Sequence, residues 1–103
     1  MDIQVNKHQL ERVVIKWLNK HYGNLTLKEI SYFTDTVFYF NHNNKQMMDY
    51  NTDNGILHVN NDILMSLVNM FKLTYVDVRT IVPKWMYETY DIDVQEVFGA
   101  AYD

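Results

Sequence analysis

The sequence predicts an α+β domain: an N-terminal helix, a three- to four-stranded antiparallel sheet built on hairpins, then two to three C-terminal helices packed on that sheet. Three observations carry this. From Gln46 to Asn60, apolar and polar residues alternate on both sides of Asp53-Asn54-Gly55. Asn-Gly between two such runs is the strongest short-range hairpin signal. Ahead of it, Leu10, Val13, Val14, Trp17, Leu18 and His21 recur at helical spacing. Behind it come two more helical stripes, one through Ile63, Leu64, Leu67, Val68 and Phe71, the other through Val78, Ile81, Val82, Trp85 and Thr89.

The first helix opens on Asn6 as N-cap, with Gln9 completing a capping box and Val5 and Leu10 as hydrophobic staple. Gly23 ends it after Lys20-His21-Tyr22, where cationic side chains suit the negative end of the helix dipole. Lys7, Glu11, Arg12, Lys16, Asn19 and Lys20 take the water side. Leu25 to Phe33 reads as a strand with an irregularity, ended by Thr34-Asp35, and Thr36 to Asn41 as a strand of β-formers. A loop over Asn43 to Lys45 is favoured over a two-residue turn at Asn43-Asn44. It opposes Phe40 to Met48 and Phe38 to Tyr50, which keeps both phenylalanines on the apolar face. In the next hairpin, a type I′ turn on Asn54-Gly55 pairs Tyr50 with Val59 and Thr52 with Leu57. Met48, Tyr50, Leu57 and Val59 then share one face, and Asp49, Asn51 and His58 the other.

Asn60 or Asn61 caps a helix over 62–73, whose stripe is widened by Met65 and Met70. Thr74 and Asp77 form a capping pattern for helix 75–90, with Leu73 and Val78 as staple. Pro83 lies inside it, costs about 3 kcal/mol, and predicts a kink or two short helices. Asp93 and Glu96 repeat the capping pattern and predict a short last helix ending at Gly99.

Length suits a single domain over residues 1–103. With 48% hydrophobic and 15% aromatic residues the chain has the means to build a core. Cysteine is absent, which removes disulfides and thiolate metal sites and fits a reducing, cytoplasmic setting. The opening residues lack a secretory pattern, and charged or amide residues interrupt every apolar run short of a membrane span. A net charge of −4 argues against nucleic acid held by phosphate neutralisation. Eight tyrosines, many asparagines and alanine only at 100 and 101 suit an AT-rich genome, that of a phage or a small bacterial genome.

Few constellations carry chemistry. Asp49 to Gly55 begins like a calcium loop, but its sixth residue is Asn54, glycine comes one late, and the twelfth is Asn60 where a bidentate Glu is needed. His8, His21, His42 and His58 show no metal-ligand spacing, and no cofactor is implied. His58 and Asp49 share a sheet face, which makes them the centre of a weaker acid-base or metal reading. Tyr39 and its aromatic neighbours, with Arg12, Lys16, Arg79 and Lys84, are the residues a nucleic-acid reading would use, through aromatic strands or helix 75–90. The leading expectation is a non-enzymatic protein-interaction module, binding a protein partner or itself as a homodimer. Its interface candidates are Met65, Met70, Met86 and Tyr90, which exceed what one core needs.

Overall fold

The computed structural model describes residues 7–102. In chain order the elements are α1 (Lys7–Tyr22), β1 (Thr26–Ser31), β2 (Thr36–His42), β3 (Lys45–Asn51), β4 (Ile56–Asn60), α2 (Asn61–Phe71), α3 (Tyr75–Tyr90) and β5 (Glu96–Ala100). The five strands form one sheet in sequence order. The first three pairings are antiparallel, and β5 returns beside β4 in parallel after the α2–α3 crossover. Phe40, Met48, Tyr50, Leu57, Val59 and Val97 are buried in one core with residues of all three helices. The other face carries Tyr39, Asp49, His58 and Phe98, none of them fully buried.

The α1 cap and staple fall on Val5 and Asn6, outside the described residues. Its buried side is Glu11, Val14, Ile15 and Leu18, rotated from the expected stripe, and Val13 is 53% exposed. The rotation follows from α3, which takes α1 through polar contacts. Arg12 donates to both Glu88 oxygens at 2.8 and 2.9 Å, Lys84 Nζ stands 2.6 Å from Glu11 Oε1, and Trp85 Nε1 donates to Asn19 Oδ1 at 2.9 Å. His21 is exposed, its ring 4.5 Å from that of Trp17.

The expected pairings of Phe40 with Met48 and Phe38 with Tyr50 are present. They are reached differently, by a two-residue turn at Asn43-Asn44 followed by a bulge that places Met47 as the extra residue. In the second hairpin Tyr50 opposes Leu57 and Val59 opposes Met48, so the expected Tyr50–Val59 and Thr52–Leu57 pairs do not form. The shift is two residues, which leaves every side chain on its expected face.

Asn60 caps α2, its Oδ1 accepting from Asp62 N at 2.8 Å. The Thr74–Asp77 capping box is complete, with bonds of 2.9 and 3.2 Å. α3 runs unbroken through Pro83, so two short helices do not occur. Burial of Val78, Ile81, Val82, Trp85 and Met86, at about 1.5–3 kcal/mol each, exceeds the proline penalty of about 3 kcal/mol. The predicted last helix is instead β5. One turn of helix is a costly nucleus for a single bond, whereas the same residues as a strand pair with β4 and leave Val97 only 2% exposed. Gly99 lets α2 start close by: a Cβ there would stand 2.2 Å from Asn61 Oδ1.

Candidate interaction surface

Strand register lines up Lys28, Tyr39, Asp49, His58 and Phe98 as one row across the open face of all five strands. Asp49 is its hub. His58 Nδ1 lies 3.1 Å from Asp49 Oδ1, Gln46 Nε2 donates to Oδ2 at 3.4 Å, and the Tyr102 hydroxyl donates to Oδ2 as well. Tyr102 also donates to the His58 carbonyl at 3.3 Å. Burial, then the adjacent Asp49 carboxylate, push the Tyr102 pKa up. The hydroxyl serves as the donor in both of these bonds. At the other end, Tyr32 and Tyr39 share a hydroxyl–hydroxyl bond of 2.6 Å, which with burial pushes Tyr39 to about 12. The His58 and Phe98 rings lie 6.1 Å apart, tilted by 32°.

Asp49 and His58 thus stand together, as their shared parity requires. Their geometry orients an imidazole, and the Tyr102 hydroxyl donates to the same carboxylate, so the group fastens Tyr102 to β3 and β4. Asn51 Oδ1, an oxygen a calcium loop would use, accepts from Asp53 N at 2.9 Å. Among the described residues no group of three or more His, Asp or Glu side chains is placed to hold a metal ion.

The interface candidates separate. Met86 is fully buried, and Tyr90 packs against the core, its hydroxyl donating to the Tyr22 carbonyl. Met86 thus belongs to the core and Tyr90 is half-buried against it, tied to the end of α1, so neither is part of an exposed patch. Met65 and Met70 are 55% and 56% exposed. Five residues apart, they lie about 140° from each other around α2 and make no continuous patch. Of the nucleic-acid candidates, Arg12 pairs with Glu88, Arg79 with Glu96 at 2.7 Å, and Lys84 with Glu11. Lys16 is exposed, and Tyr39 sits in the row beside Asp49.

The two sheet edges were not singled out by sequence reasoning, and they differ in kind. β1 has Lys28 and Glu29 at its centre, charges of the sort that guard an edge against pairing. β5 carries one charge, Glu96 at its first residue, already held by Arg79. From Val97 to Tyr102 the chain is uncharged, without proline. Among the described residues no strand pairs with the outer side of β5, and Phe98 is 42% exposed. A groove of about 270 Å³ lies along α3 at Pro83, Tyr87 and Asp93, and one of about 240 Å³ between α3 and β5 at Val76, Thr80 and Val97. No helix among the described residues is long and apolar enough to cross a membrane. No protein-family model, curated protein or solved structure matches this chain.

Proposed function

We propose that this chain is a small non-enzymatic protein-interaction module whose contact element is the outer edge of β5 with the aromatic end of the open-face row. The observation that supports this reading is the contrast between a charged β1 edge and an uncharged, unpaired β5 edge. A free edge recognises an added strand through main-chain hydrogen bonds, and side chains at alternate positions set the choice of partner. Phe98 stands at such a position, and the groove beside Val76 and Thr80 leaves room along the first half of the strand. Asp49 in the middle of the aromatic row, and the carboxylates paired with Arg12, Arg79 and Lys84, weigh against nucleic acid as the ligand.

Copurification from the native host tests the reading, with tagged wild type run beside Phe98→Lys and with bound protein and nucleic acid both analysed. Wild type is expected to retain a protein that Phe98→Lys loses, with nucleic acid absent from both. A partner held equally by the two forms overturns the assignment to β5. Nucleic acid retained with a steep salt slope overturns the class of function.

A further inference from the structure

Resting on that reading of the β5 edge, we infer that the edge takes a second copy of this chain, β5 against β5, antiparallel about a twofold axis at Phe98. Symmetry limits the choices. A twofold axis that joins two antiparallel edge strands stands perpendicular to the sheet, so open face continues into open face. Residues directly opposite each other then share parity along the strand.

Charge decides between the two edges. Self-pairing at the middle of β1 would set Lys28 against Lys28 or Glu29 against Glu29, and like charges directly opposite are destabilising. At β5, centring on Phe98 sets Phe98 against Phe98, Val97 against Gly99 and Glu96 against Ala100. No like charges meet, the five residues of each strand are paired end to end, and the strand's one carboxylate is paired with Arg79. An aromatic pair on one face is among the better cross-strand combinations. The row Lys28, Tyr39, Asp49, His58, Phe98 then runs on into its copy, with two phenylalanine rings at its middle and an Asp49–His58 pair on either side.

Sedimentation of the purified full-length chain over a micromolar concentration series tests this directly. Wild type is expected to reach a dimer. Phe98→Lys and Phe98→Glu, each opposing like charges on the axis, are expected to weaken it about tenfold or more. An equimolar mixture of the two variants is expected to dimerise again, because Lys then faces Glu. Circular dichroism unchanged from wild type shows that the substitutions leave the fold intact. A monomeric wild type, a Phe98→Lys dimer as tight as wild type, or a mixture that stays monomeric would each overturn the inference. So would a dimer dissolved by Met65→Lys or Met70→Lys alone, or a ladder of larger species, which would mean β5 pairing with β1 of the next copy. A monomeric wild type leaves the edge itself standing as a contact element, since that reading is tested separately, by whether Phe98→Lys loses the host partner.

Discussion

Asn43-Asn44 closes the β2–β3 hairpin in two residues, both left-handed at φ of 50° and 65°. Thr52 to Gly55 closes the β3–β4 hairpin in four, with Gly55 alone left-handed at φ 70°. The first loop is held almost entirely by its own backbone preference, and its further side-chain bond is a 3.3 Å contact between Asn43 and His42. The second is held by neighbours. Thr52 N and Oγ1 both donate to the Thr36 carbonyl, at 3.0 and 2.9 Å, which extends the β2–β3 ladder past Asn51. Gly55 N donates to the Asn51 carbonyl at 2.9 Å, and the Gly55 carbonyl accepts from Gln95 N at 2.8 Å as β5 arrives. A turn at the end of a free hairpin follows its local chemistry. One lodged between two other strands takes the shape that satisfies them, and it is this second loop that sets where the β5 edge begins.

Substitutions in the two loops can break or sharpen that contrast. The largest effect belongs to Gly55→Val. A side chain at φ 70° is strained, and its Cβ would stand 2.5 Å from Gln95 Cγ. A loss of about 2–3 kcal/mol in urea unfolding is expected. Amide exchange should quicken more in β5 than in β2, and equal quickening would mean the loop does not position β5.

Asn51→Ala comes next. It removes the Oδ1 acceptor of Asp53 N, worth about 1 kcal/mol, and the Nδ2 donor to Asp35 at 2.9 Å. Hydrogen bonds from Thr34 first and Asn51 second hold the Asp35 carboxyl below its ordinary 3.8. A lowered carboxyl pKa gives stability present above the ordinary value and lost as pH falls through the folded value. The gap between wild type and Asn51→Ala should therefore be constant near neutrality and narrow below pH 3.8. A gap that widens in acid would be the wrong sign.

Asn44→Ala places a Cβ without a helpful side chain at φ 65° and is expected to cost about 1 kcal/mol, with resonances of the β3–β4 loop unmoved. Smallest is Asn44→Gly, which creates Asn-Gly in a true type I′ turn. It should stabilise by about 0.5 kcal/mol, read as a raised urea midpoint. A loss instead would show that the Asn44 side chain contributes to the loop.

By itself the sequence determined the first seven elements in their order, the capping box at Thr74 and Asp77, an asparagine cap at Asn60 or Asn61, and the split of Met48, Tyr50, Leu57 and Val59 from Asp49, Asn51 and His58 onto two faces. These follow from interactions within a few residues, or from a period of two that holds wherever one face is buried. That same period explains what it left open. A slip of two residues, as between the Tyr50–Val59 and Tyr50–Leu57 pairings, changes no face, so alternation by itself selects neither. Asp49 and His58 were legible as neighbours by parity, whereas Tyr102 reaches Asp49 across 53 residues, a distance over which no local pattern speaks. Met86 became core and Tyr90 packed against it as the helices closed on the sheet, and residues 96–100 became a strand because β4 offered them an edge. Each of those outcomes depends on which surfaces meet, and that is settled by the packed chain as a whole.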